Sequence, residues 1–171
     1  VIFGRIVERI FGTRDFVVVY LTAGIMGNVT SYLAGPNYSV GASGAVFGIL
    51  GAFGVYLLLN RRLLGHMGRQ QLTSIGVIVA INIVFGLATT GIDNAAHFGG
   101  LLAGGFVAWL IAPRQHLFTV ENPFNFGSQR MALTPGNQPT SKLVLAIVVI
   151  AAVAVVVTWF ESQSYVTNIL G

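Results

Sequence analysis

Cysteine is absent from the 171 residues, which excludes disulfides and thiolate metal sites and leaves no compartment to be read from redox chemistry. Charge is nearly as scarce: Asp, Glu, Lys and Arg make up 8% of the chain against 54% hydrophobic residues, and the mean hydropathy is +0.79. Soluble domains carry about 25% charged residues, so a water-soluble globule is set aside. Acidic side chains are the scarcest, five against nine Lys and Arg, for a formal net charge of +4. Such a balance fits either nucleic acid or an anionic membrane face, and the placement of the charges decides between them. Phosphate loops, metal-ligand clusters and cofactor motifs are also lacking, so neither a metal nor a cofactor is expected. The chain opens on Val1 and the interrupted run to Arg9, neither a signal peptide nor a whole span, and is read as a fragment whose front end is missing.

What is abundant is long apolar sequence. Five runs, 16–33, 44–59, 72–88, 95–112 and 143–160, contain no Lys, Arg, Asp or Glu. Each is near the shorter limit of a helix crossing a hydrocarbon core of about 30 Å, and a soluble fold does not repeat such runs. They predict an all-α, polytopic transmembrane bundle. The links 34–42 and 89–94 hold no Lys or Arg, whereas Arg5, Arg9, Arg14, Arg61, Arg62, Arg69, Arg114, Arg130 and Lys142 all fall in the other connections. In an up-and-down bundle that asymmetry places the basic segments in the cytoplasm. The positive charge is therefore a topology signal, and nucleic acid is not an expected partner. The stretch 114–142, with Pro123, Pro135, Gly136 and Pro139, is read as an irregular cytoplasmic linker, and 143–160 as an appended span.

Chemistry concentrates at two helix starts. The second run is introduced by Gly41-Ala42-Ser43-Gly44-Ala45 and the fourth by Asp93-Asn94-Ala95-Ala96-His97. Ser43 lies 18 residues before Arg61, and His97 lies 17 before Arg114. At about 1.5 Å per residue both stand roughly 26 to 27 Å above the inner interface, just inside the outer edge of the core. One level, two first turns entering from the same side and a hydroxyl beside an imidazole make an arrangement for a nucleophile and its base. A Ser–His hydrogen bond between neighbouring helices needs close backbones, which Gly44, Gly48, Gly100 and Gly104 permit. The unpaired N–H groups of the first turn, at Ala42, Ser43 and Gly44, together with the helix dipole, form a partial oxyanion site.

Plainer roles stand beside these. A serine at a helix start is commonly an N-cap, but an ionisable side chain inside a span is costly and functional by default. Asp93 or Asn94 is read as a cap of the fourth run, in preference to Asp93 as a third triad member. Phe47, one turn below Ser43, either stacks on the imidazole or simply packs. Asn28 and Asn82 are read as interhelical hydrogen-bonders, His66 and His116 as solvated, and Glu8 as an ion pair with Arg5 and Arg9.

These residues resemble the rhomboid intramembrane serine proteases. Gly41-Ala42-Ser43-Gly44 matches the family's Gly-x-Ser-Gly, Ala96-His97 through Gly100 and Gly104 matches Ala-His-x-x-Gly-x-x-x-Gly, and Gly4, Glu8 and Gly12 match Gly-x-x-x-Glu-x-x-x-Gly. The resemblance covers about residues 1–113 and implies a six-helix core with a Ser43–His97 dyad. Membrane-anchored protein substrates would be cleaved in the bilayer near its outer face, with Gly41, Gly48, Gly100, Gly104 and Phe47 supporting the site by packing. The family's preceding His-x-x-x-Asn has no counterpart here, which agrees with the fragment reading. The expected organisation is a catalytic core at 1–113, a linker at 114–142 and an appended helix and tail at 143–171. The competing expectation is a non-catalytic relative that binds transmembrane clients.

The predicted topology is directly measurable. With 61–71 and 114–142 cytoplasmic, a membrane-impermeant thiol reagent outside intact cells should leave Arg69→Cys unlabelled and should label it after permeabilisation.

Overall fold

The computed structural model describes residues 2–35, 41–113, 115–121 and 129–135, with isolated helical positions at 147, 151, 153, 155 and 157. Five helices follow in order: α1 Ile2–Phe11, α2 Thr13–Ala34, α3 Ser43–Leu59, α4 Arg61–Ala88 and α5 Asn94–Ile111. The first four apolar runs thus become α2 to α5, and the chain is an integral membrane helical bundle as expected. Three of these, α2, α4 and α5, are long and apolar enough to cross a membrane, while α3 has 17 residues, about 25 Å. The fifth run and the tail after it fall outside the described residues apart from the isolated positions.

The stretch read as an irregular linker differs from expectation. Strands β1 Gln115–Glu121 and β2 Gln129–Pro135 pair antiparallel, with Gln115 opposite Pro135 and Glu121 opposite Gln129. The prolines that argued against regular structure do not interrupt the pairing: Pro123 lies between the strands, and Pro135 ends β2, a position a strand tolerates. Phe118, Thr119 and Val120 supply β-favouring residues in between.

Position in the bundle follows from patterning. Helix α3 is apolar on all sides, which suits a helix enclosed by others, and it lies against α1, α2, α4 and α5. Its Ile49, Leu50, Phe53, Tyr56 and Leu57 form a core with Val7, Phe11, Val19, Val107 and Ile111. Short α1 contributes edge contacts: Phe11 meets the Tyr56 ring at 6.2 Å and 61°, and Phe3 the Phe53 ring at 6.1 Å. Gly12, at φ 82°, turns the chain from α1 into α2 in a conformation that favours glycine. Helix α4 is peripheral, with only Gly68, Ile75 and Gly86 buried among its residues. Val77, Ile81, Val84, Phe85 and Leu87 are exposed along it, an apolar surface that lipid can cover. Its first turns are the connection 61–71 itself, helical but broken at Gly65 (φ 51°, ψ −131°).

At the end of α3 away from Ser43, α3 and α5 are tied by one buried amide. Asn60 Nδ2 donates to Tyr56 O at 2.9 Å and, across 53 residues, to Pro113 O at 3.2 Å. Asn60→Leu should therefore lower stability by about 1–3 kcal/mol, since it strips a partner from a carbonyl at a site that is 3% exposed. Unfolding in detergent measures it, and a shift within error would refute the tie.

Candidate active site

Two backbones run almost in contact where α3 and α5 cross. A Cβ on Gly100 would fall on the Gly44 carbonyl, and one on Gly104 would fall on Gly48 O. Reciprocally, Gly44 faces Ala96 O at 3.1 Å and Gly48 faces Gly100 O at 3.1 Å from an ideal Cβ. Nothing larger than hydrogen fits, so the seam exists because the sequence places glycine at every fourth residue on both helices. Helix α2 closes the same junction from a third side. An ideal Cβ on Gly27 would stand 2.9 Å from Ala96 O and 3.3 Å from the Gly44 Cα, and one on Gly99 would fall on Thr30 Oγ1. The junction sits one residue before His97.

Above this seam Ser43, Val46, Phe47, Asn82, Gly91, Ile92, Asp93 and His97 line one cavity of about 390 Å³. Helix α3 presents Ser43 as its first residue, with Ala42 as N-cap and no side-chain cap bond, so the plain capping role is not the one Ser43 takes. The first helical bond is Val46 N–H to Ala42 O at 3.1 Å, which leaves the Ser43 and Gly44 N–H groups ahead of the hydrogen-bonded ladder. Ser43 is exposed to the cavity side, whereas His97 is 7% exposed. The imidazole lies flat on the Phe47 ring, centroids 4.1 Å apart and planes 7° apart. Its Nδ1 is buried and has no hydrogen-bond partner, and no bond joins it to Ser43. A buried nitrogen without a partner costs free energy, and here it is retained beside a hydroxyl that is equally uncommitted.

Two neighbouring polar residues each make a local bond, although Asn94 Oδ1 is buried without a partner. Asp93 caps α5, its Oδ1 accepting from Ala96 N–H at 2.8 Å, the role expected of it. Asn94 Nδ2 donates to Ile83 O at 3.3 Å and so fastens α5 to α4. Three expectations need correction. Asn82 does not bridge helices: its Nδ2 donates to Ile78 O of its own helix at 2.8 Å, because it stands on an exposed side of α4, whereas the contact with α5 is made one residue on, where Asn94 reaches Ile83 O. Glu8 forms no ion pair among the described residues; Oε1 accepts the Thr13 hydroxyl at 3.0 Å, while Arg5 and Arg9 are exposed. Gly41 takes no part in helix packing, because it precedes α3 and an ideal Cβ there meets only Ser43 N, at 3.9 Å.

Reading the sequence missed the contribution of α2. Val19, Ala23, Gly27 and Ser31 are buried at four-residue spacing, a small-residue stripe as legible as those on α3 and α5. Among the described residues no group of three or more His, Cys, Asp or Glu could hold a metal ion.

Comparison with known proteins bears on this geometry. The family described as the rhomboid domain matches residues 1–114. The chain is 46% identical over 106 residues to the rhomboid protease GluP of Bacillus subtilis, covering 61% of this chain and 20% of that protein. It is 34% identical over 110 residues to the rhomboid protease GlpG of Haemophilus influenzae, 62% of this chain and 56% of that one. To RHOMBOID-like protein 6, mitochondrial, of Arabidopsis thaliana it is 33% identical over 169 residues, 96% of this chain and 54% of that protein. The chain thus spans between a fifth and a little over half the length of these relatives. No solved structure matches it significantly.

The seam can be tested by adding single methyl groups. Gly100→Ala places one on the Gly44 carbonyl and should cost about 1–3 kcal/mol or more by forcing α3 and α5 apart. Gly76→Ala, where nothing lies within 4 Å, should leave stability unchanged or slightly raised. Equal thermal unfolding of the two variants in detergent would contradict the seam.

Proposed function

The chain belongs to the rhomboid family, and we propose that it carries the catalytic core of an intramembrane serine endopeptidase. In this reading Ser43 Oγ attacks the scissile carbonyl carbon while His97 takes the hydroxyl proton. The oxyanion of the tetrahedral intermediate is held by N–H groups at the α3 start, from Ala42, Ser43 and Gly44. His97 returns the proton to the leaving amine, an acyl-serine remains, and a water activated by the same imidazole releases the new carboxylate. The observation that carries the reading is the shared cavity: a serine with no capping duty and a buried, unpartnered imidazole line the same space.

Other features support it. The Phe47 stack orients the imidazole without engaging either ring nitrogen. Hydrolysis needs water, and the cavity is bounded by the 89–93 link rather than by helix alone, on the side away from the arginines of α4 and thus near the outer face. Substrates are membrane-anchored proteins that reach the cavity from the bilayer. Gly91, at φ 91° with open space around it, is a joint about which that cover can move.

In the full chain, Ser43→Ala and His97→Ala should each abolish cleavage of a membrane-anchored substrate, and the double variant should be no worse than either, since nucleophile and base act as a unit. Cleavage should also fall as pH is lowered through the titration of His97, because only the neutral ring accepts the serine proton. Cleavage by purified Ser43→Ala protein would refute the mechanism. Client binding by a parent that does not cleave would instead favour a non-catalytic binder.

A further inference from the structure

Along α4 the stretch 75–88 reads Ile-Gly-Val-Ile-Val-Ala-Ile-Asn-Ile-Val-Phe-Gly-Leu-Ala, in which Asn82 is the single polar side chain. A polar group inside a span is costly and is kept for a reason. Packing does not provide one, since Asn82 is exposed and bonds only to its own helix, through Nδ2 to Ile78 O. Its Oδ1 accepts no hydrogen bond from any described residue. Rather than facing only lipid, Asn82 lines the cavity that Ser43 and His97 share. The neighbouring Ile83 is held to α5 through Asn94 at 3.3 Å, so this part of α4 keeps a set position relative to His97.

A peptide bond attacked within a membrane must first leave its helix. Unwinding exposes main-chain carbonyls and N–H groups, and in apolar surroundings each requires a partner. Among the described residues the α3 wall offers the N–H donors of its first turn and the Ser43 hydroxyl, which the proposed chemistry engages as nucleophile. The substrate's own N–H groups need acceptors as well. Asn82 Oδ1, on the opposite wall, is an acceptor that no described residue engages. We propose that Asn82 anchors substrate by accepting a hydrogen bond from one main-chain N–H of the unwound segment. The proposal rests on the protease reading for the identity of the ligand, an extended stretch of a transmembrane protein.

The test uses the full chain in proteoliposomes and a fluorescent single-span peptide with a Gly- and Ala-containing outer end, whose helix opens readily. Successive amides near that end are replaced by esters, each removing one N–H. Binding is measured by energy transfer to Ser43→Ala protein, and cleavage by the parent in parallel. One ester should weaken binding about 2- to 10-fold, the worth of a single neutral hydrogen bond. In the double variant Ser43→Ala with Asn82→Leu the same ester should have no effect, the two changes acting on one interaction. Leucine matches asparagine in shape and is at home in lipid, so the variant remains folded. The proposal is overturned if the sensitive position stays sensitive in the Asn82→Leu background, if no ester matters, or if binding is not saturable. A parent that binds but does not cleave sinks the protease reading alone, because the binding series still decides the role of Asn82.

Discussion

Everything else in the bundle depends on how closely α3 and α5 can approach. The two helices meet backbone to backbone through Gly44, Gly48, Gly100 and Gly104, with Gly51 against the Leu101 carbonyl one turn further in. In lipid no hydrophobic gain drives such pairing; close dispersion contact does, and it is available only when side chains are out of the way. Because the contact is between main chains, it transmits no side-chain slack. The level and rotation of α5 relative to α3 are set by the repeat itself, and His97 is carried over Phe47 as a consequence. Gly27 of α2 wedges the same point from behind, so His97 rests on three helices rather than two.

Much of this was legible in one dimension. Apolar runs locate α2 to α5 to within a few residues, except that α4 begins well before its run, because length and absence of charge leave few alternatives in a membrane. That Ser43 and His97 meet in one cavity was legible by counting from each to the arginine that follows its run, a measure that needs only the helical rise. What eluded the reading was lateral. The all-round apolarity of α3 suits its enclosed place, but which face of α4 meets a neighbour does not follow from a stretch apolar on every side. Hence Asn82 was assigned a partner across an interface that its side chain does not reach, and the equally regular stripe on α2 was passed over because it carries no chemistry. Glu8 was paired with Arg5 and Arg9, yet Arg9, its immediate neighbour, points in a different direction, Arg5 one turn back is exposed, and the Thr13 hydroxyl just beyond the Gly12 turn is the donor that Glu8 accepts. In 115–135, turn-forming residues outweighed a short β-favouring pattern, and the strands were missed.

Two uses of polar side chains recur among the described helices. Thr22, Thr30, Thr73, Ser74 and Asn82 each return a hydrogen bond to a carbonyl three or four residues earlier, the usual way a span neutralises a polar side chain without a tertiary partner. Asn60, Asp93 and Asn94 secure helix ends. Ser43 and His97 do neither. The buried His97 Nδ1 has no hydrogen-bond partner, nor has the buried Asn94 Oδ1 nearby, so unused hydrogen-bonding capacity gathers around the cavity that Ser43, Asn82 and His97 line.

The weak attachment of α4 has a consequence for how the protein is made. Helices emerge from the ribosome in chain order, so α2 and α3 enter the bilayer first, then α4, and α5 only afterwards. Yet α5 belongs in the groove that α2 and α3 form together, against which it packs far more extensively than against α4. The cleft that receives it must therefore stay open while α4 is synthesised, and α4 must settle at the margin without claiming it. Until α5 arrives, Ser43 faces no imidazole. On the proposed mechanism a nascent chain is inert by construction, and its potential to cut begins only when the last of these five helices slots home.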